Sequence, residues 1–122
     1  MKYLLIMHGN PRVWEALTEE ERDEVMNGHG EFIKTIQESG EMVSTQALAD
    51  PSNSAVVRVR DGVPAVTDGP YLEAKEHFAG YYLVDCESRE RALELAALIP
   101  DARVDGLGIE VRPVMFSAGT EM

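Results

Sequence analysis

Cysteine, basic residues and long apolar runs are what this sequence has least of. Its single cysteine, Cys86, has no CxxC partner and cannot close an internal disulfide, a usage that suits a reducing cytoplasm. It ends an apolar run and reads as a buried, inert thiol rather than a nucleophile. Lysine and arginine number 11 against 22 acidic residues, a net charge of −11. That field repels phosphate backbones and anionic membranes, so nucleic acid is not an expected partner. No apolar run approaches the ~20 residues that span a bilayer, so no membrane partner is expected either. The N-terminal "MKYLLIMHGNP" lacks a full signal-peptide core and a small-residue cleavage site, and it reads as a strand.

Several chemistries are missing with them. The three histidines form no HExxH pattern and no Cys/His cluster, so no dedicated metal site is expected. There is no GxGxxG, GxxxxGK[ST] or GxSxG, which removes the usual dinucleotide, nucleotide and hydrolase loops. The expectation is a protein without a cofactor.

What is present is a soluble globular composition, 44% hydrophobic and 27% charged over 122 residues. No repeat, low-complexity segment or linker interrupts it, so residues 1–122 are expected to form one domain. "KYLLIMH" (2–8) is apolar at successive positions, as in a central strand covered on both sides. Asn10 and Pro11 provide an N-cap and first position for a short helical turn carrying Trp14 and Leu17. "TEEE" (18–21) is a capping box that starts a helix running to Ser39, stopped by Gly40. Strands follow at 41–48 and at 55–67, the latter folded at Asp61-Gly62, the pair favoured in a two-residue hairpin turn. Pro64 cannot donate to a ladder, so its arm is expected to be an edge strand or irregular.

A strand at 78–86 contains Gly80, which marks a bulge or a close backbone approach. Ser88 caps a helix over 89–99 that Pro100 ends, and "IEVRPVMF" (109–116) is the last strand, with Pro113 favouring an edge or bend. Without the hairpin the order is βαββαβ, the split arrangement of ferredoxin-like α+β folds. Two helices on one face of an antiparallel sheet leave the other face bare, and a sheet-to-sheet homodimer would cover it.

Two residues carry most of the chemical interest. Val25, Met26, Phe32, Ile33 and Ile36 gather on one face of the first long helix, and His29 falls within that stripe. It lies between Gly28 and Gly30, each costing roughly 1 kcal/mol against alanine in a helix. Such a pair suggests that space or close backbone approach is required there. His29 is either a core histidine bonded to a backbone carbonyl or half of an acid–base pair. Asp68 opens "DGP" within "VTDGPYLEAKEH" (66–77). Its turn role is to accept an amide bond or cap a short helical turn begun by Pro70. Its functional role would be a carboxylate that orients His29. Tyr71 with Lys75, and Glu73 with His77, are four apart and would meet on such a turn. Lys75 could hold an anionic substrate, and His8 ends the first strand where side chains often line a cleft.

"MKYLLIMHG", "AVVRVRDGVPAVTDGPYLEAKEHFAGYYLVD" and "ALELAALIP…GIEVRPV" resemble the YCII-related proteins, closest to their DGPF-domain branch. The resemblance covers nearly the whole chain, and TDGP-aromatic-x-E-x-KE followed by GYYLVD is its specific part. Tyr71 stands where the branch usually has Phe. The resemblance implies a dimeric α+β barrel of ferredoxin-like subunits. It also implies an active-site pair, a helix histidine and the motif aspartate, at His29 and Asp68. Some relatives look like small-molecule lyases or isomerases of aromatic breakdown; others are associated with alternative sigma factors.

The expectation is therefore a cytoplasmic, cofactor-free enzyme acting on a small organic acid or lactone. His29 and Asp68 would be catalytic, and His8, Tyr71, Lys75 and Arg112 would bind substrate. The competing expectation is a ligand-binding or regulatory module that docks a basic protein such as a sigma factor.

Overall fold

A computed structural model describes residues 1–119. The last three of the 122 residues expected in one domain lie outside the described residues. The fold is α+β. Strand β1 (Lys2–Gly9) leads through the short helix α1 (Pro11–Ala16) into the long helix α2 (Glu19–Glu38) and strand β2 (Met42–Ala47). A 3₁₀ turn (Pro51–Asn53) precedes the hairpin strands β3 (Ala55–Arg60) and β4 (Val63–Asp68). Then come β5 (His77–Asp85), helix α3 (Arg89–Leu98), a second 3₁₀ turn (Pro100–Arg103) and β6 (Ile109–Pro113).

Local chemistry starts and stops these elements. Thr18 Oγ1 accepts from the Glu21 amide at 3.1 Å while Glu21 Oε1 accepts from the Thr18 amide at 2.8 Å, completing the capping box of α2. The same bonds hold the Glu21 carboxyl below its usual range. Ser88 caps α3 by accepting from the Arg91 amide, and the helix stops short of Pro100. Asp61 and Gly62 both have positive φ, 50° and 78°, the geometry a tight hairpin turn demands.

Four strands form one antiparallel sheet in the order β2-β5-β1-β6, and β3 with β4 forms a separate two-stranded ribbon. Strand alternation sends Tyr3, Leu5 and Met7 of β1 to one face, where they meet Phe32 and Ile36 of α2 and Ala92, Leu95 and Ala96 of α3. Both helices therefore cover the same face. The opposite face carries Leu4 beside Leu83, Ile6 beside Tyr81 and His8 beside Phe78. Its centre is apolar too: Ile6 is buried, although it is not part of the helix-side core.

Gly80 is a place of close approach. A Cβ there would lie 2.7 Å from the Gln46 carbonyl oxygen, and the β1–β5 register slips beside it, between Met7 and His8. Met26 departs from the expected stripe and is exposed, whereas Val25, Phe32 and Ile36 are buried. Cys86 is buried and hydrogen-bonds the Ser88 carbonyl, with desolvation pushing its thiol pKa up. No helix among the described residues is long and apolar enough to cross a membrane.

Candidate functional site

The two histidines singled out above sit in different chemical situations. His29 is one-fifth exposed and has both ring nitrogens engaged. Nδ1 lies 2.7 Å from the Tyr82 hydroxyl and Nε2 lies 2.8 Å from Asp101 Oδ1. A carboxylate only accepts, so Nε2–H donates to Asp101, and a neutral ring then accepts the Tyr82 O–H at Nδ1. Burial, with the Asp101 charge adding to it, pushes the Tyr82 phenol up to about 12, so it remains a donor at neutral pH.

His29 thus ties three elements together: α2, strand β5 and the 3₁₀ turn after α3. The carboxylate that holds it is Asp101, and neither ring bond goes to Asp68. Asp68 is exposed at the end of β4. The chain turns there through Gly69, whose amide bonds the Ser54 carbonyl at 2.7 Å and closes the base of the ribbon. No helical turn forms between Pro70 and Glu76. The pairs Tyr71–Lys75 and Glu73–His77 are consequently not aligned on a helix, and His77 instead begins β5.

The glycines flanking His29 differ. A Cβ on Gly28 would lie 2.5 Å from Pro100 Cγ, so this glycine lets α2 dock against the 3₁₀ turn, while a Cβ on Gly30 would meet nothing within 4 Å.

His8 is arranged otherwise. Its Nε2 lies 2.7 Å from Glu110 Oε1. Glu110 Oε2 takes the Nε–H of Arg112 at 2.9 Å and a second bond from its Nη2. The His8 bond first, and the arginine second, hold the Glu110 carboxyl below its usual range. Glu110 therefore stays ionised and fixes the hydrogen of a neutral His8 on Nε2. Nδ1 is left with a lone pair and no hydrogen bond among the described residues.

His8 also lines a cleft of about 610 Å³ at the end of the sheet, together with Asp50, Tyr71, Glu76, His77 and Phe78. The His8 ring meets Phe78 edge-on at 6.4 Å between centroids. Tyr71 forms part of the wall, with the Arg58 guanidinium 5.4 Å from its ring centroid. Neither Lys75 nor Arg112 lines the cleft, and the structure joins Arg112 to His8 only through Glu110. A larger cavity, about 680 Å³, lies between α1, α2 and the second 3₁₀ turn. Arg12, Arg103, Glu21, Glu24 and Asp105 line it but no histidine does, and the smaller cleft is the one that histidines line. Among the described residues no group of three or more His, Cys, Asp or Glu side chains is placed to hold a metal ion.

Five participants were not identified from the sequence: Asp101 and Tyr82 on His29, Glu110 on His8, and Asp50 and His77 in the cleft. For Glu110 a signal exists. Ile109 and Val111 pack on the core while Glu110 alternates to the other face. A βαββαβ order places that face beside His8.

These features define a small antiparallel α+β domain with a histidine–carboxylate pair at a cleft. The YCII-related domain model matches residues 1–117, and the chain belongs to the YCII-related family. It is 31% identical over 114 residues to an uncharacterized protein of Rhizobium meliloti (strain 1021), a match covering 93% of this chain and 92% of the relative.

Proposed function

We propose that this protein is a cofactor-free acid–base enzyme of the lyase or isomerase type, with His8 as the base at the cleft and Glu110 orienting it. The observation that carries this reading is the contrast between the two histidines. His29 has no ring nitrogen to spare, whereas His8, among the described residues, keeps Nδ1 unengaged and lines a cavity. A small organic acid or lactone is the substrate class, and the neutral lactone fits better. The cleft is lined by Asp50 and Glu76 and, among the described residues, by no lysine or arginine, so an anion would meet repulsion there.

The strand order and the one-sided helix layer favour a ferredoxin-like subunit, and the "TDGPYLEAKEH" motif favours the DGPF branch. The apolar outer face of the sheet favours a homodimer closed as an α+β barrel. A second reading retains His29 and Asp68 as the catalytic pair, supported by the specificity of "TDGPYLEAKEH". It requires His29 to release Asp101 or Tyr82. A non-catalytic module, with or without a sigma-factor partner, is the alternative in which a ligand binds and leaves unchanged.

Exchange of carbon-bound hydrogen separates these readings. α-Angelica lactone, a small β,γ-unsaturated lactone, would be incubated with the protein in D₂O and followed by proton NMR. Deuterium is expected to enter the carbon next to the carbonyl faster than in buffer, and His8→Gln is expected to slow this by ~100-fold or more. His29→Gln and Asp68→Asn are expected to have much smaller effects at equal folded fraction. If those two variants lose exchange and His8→Gln retains it, the active pair is His29–Asp68.

A further inference from the structure

We propose that the cleft selects its substrate by an apolar substituent of about phenyl size, which Tyr71 and Leu72 recognise together with Leu48 and Phe78. The substrate class narrows accordingly, to a neutral lactone that carries such a group. This rests on the reading of the His8 cleft given above and extends it from the reaction to the body of the molecule that undergoes it.

The four side chains line the same cleft as His8, yet all are well exposed: Leu48 by 53%, Tyr71 by 74%, Leu72 by 72% and Phe78 by 41%. Tyr71 and Leu72 take no part in the core, so packing of the fold does not account for them. Large apolar side chains left in water around one concavity mark a surface that something else covers. The fold also holds parts of this lining in place. The Leu48 amide bonds the Ala79 carbonyl at 2.8 Å, which ties the end of β2 to β5. The Arg58 guanidinium, 5.4 Å from the Tyr71 ring centroid, braces that ring from the ribbon. Phe78 meets the His8 ring edge-on, so the apolar lining reaches the base itself.

Size and charge identify the occupant. A cavity of about 610 Å³ has the volume of a small-molecule pocket rather than of a protein groove. Asp50 and Glu76 line it and, among the described residues, no lysine or arginine does, so a substituent bearing a carboxylate would be repelled. A neutral apolar group has no such penalty and gains by leaving water against these side chains. One compound then satisfies both features of the cleft. Its lactone ring offers a C–H bond next to the carbonyl to His8, and its substituent covers the apolar side chains.

The test compares two neutral lactones on the full-length protein, γ-valerolactone and γ-phenyl-γ-butyrolactone, which differ only in bearing methyl or phenyl at one carbon. Ligand-observed NMR titration gives the two dissociation constants. The phenyl compound is expected to bind ~10-fold or more tightly than the methyl compound. The double variant Tyr71→Ser, Leu72→Ser changes exposed side chains outside the core and is expected to fold as the wild type does by circular dichroism. It should reduce the preference to about threefold or less. His8→Gln is expected to keep the preference while losing exchange of α-angelica lactone, since recognition and proton removal belong to different side chains. A preference that survives the double variant would overturn the proposal, because the phenyl group would then sit elsewhere. Weakened self-association in the double variant, read by sedimentation at an unchanged preference, would overturn it too, since these side chains would then be a contact between copies. A wild type that shows the preference but no α exchange would overturn the His8 reading and leave the apolar recognition standing.

Discussion

The four-stranded sheet with its helices and the β3–β4 ribbon are built from similar apolar residues, yet they are held in opposite ways. In the sheet, Leu5, Ile36, Val84, Leu95 and Ile99 are completely buried. In the ribbon every residue of β4 is exposed, and of β3 only Val56 is half-buried. Register places Val57 opposite Val66 and Val59 opposite Pro64 on one side of the ribbon, an apolar face with exposures of 58% to 66% at its three valines. The body is stabilised by burial. The ribbon is shaped by its turn, by cross-strand bonds and by the Gly69–Ser54 closure at its base, and an isolated hairpin of this kind is marginal in water. One chain can therefore specify a strand pair without supplying the surface that pair would rest on.

The largest expected effect probes the buried side of the contrast. Leu95 lies within the core between α3 and the sheet, with no exposed surface. Leu95→Ala removes that packing and leaves a cavity, and it is expected to cost ~2–5 kcal/mol in urea unfolding. A loss below ~1 kcal/mol would mean that the core relaxes around the deletion and that the body is less tightly built than its burial implies.

An intermediate effect is expected where α2 docks on the second 3₁₀ turn. Gly28→Ala gains helix propensity but drives a methyl into the Pro100 ring, a rigid group with little room to give way. The expected balance is a loss of ~1–3 kcal/mol. Gly30→Ala has open space around it and is expected to be neutral or to stabilise by up to ~1 kcal/mol. Comparing the two by thermal unfolding gives a sharp result, because propensity alone would make them equal. Equal stabilisation by both would show that α2 shifts away from Pro100 at little cost.

The same contrast describes what could be read in advance. Elements set by neighbouring residues are legible: the Thr18–Glu21 box, the Asp61-Gly62 turn and the Ser88 cap. Each is a short-range preference written in two to four adjacent positions. The site was less legible because its bonds span the chain. His29 meets Tyr82 and Asp101 across 53 and 72 residues, and His8 meets Glu110 across 102. Helical periodicity placed His29 near the core face, but no local pattern distinguishes which acid will face it. The segment 70–76 misled for a related reason. Its i,i+4 pairs suit a helix, but Gly69, at φ 109°, redirects the chain and Pro70 follows it. The exposed Tyr71 and Leu72 have no buried face to stabilise a single turn.

The smallest effect on the chain's own stability is expected in the ribbon, and it decides what the exposed valines are for. Val57→Thr and Val66→Thr keep the β-branched shape and strand preference while adding a hydroxyl to each exposed apolar position. In a single chain these side chains bury little, so the pair is expected to change unfolding stability by less than ~0.5 kcal/mol each at low protein concentration. In the proposed homodimer a second copy covers apolar surface of this kind. The double variant would then weaken association by ~10-fold or more, since burying a valine is worth ~1.5 kcal/mol or more. Sedimentation across a concentration series reads that change directly. Unchanged association would remove the ribbon from the dimer contact and leave the apolar outer face around Leu4, Ile6 and Leu83 as the surface to test. A stability loss approaching that of Leu95→Ala in dilute monomer would show that the ribbon is held by the body after all, and the contrast between the two regions would fall.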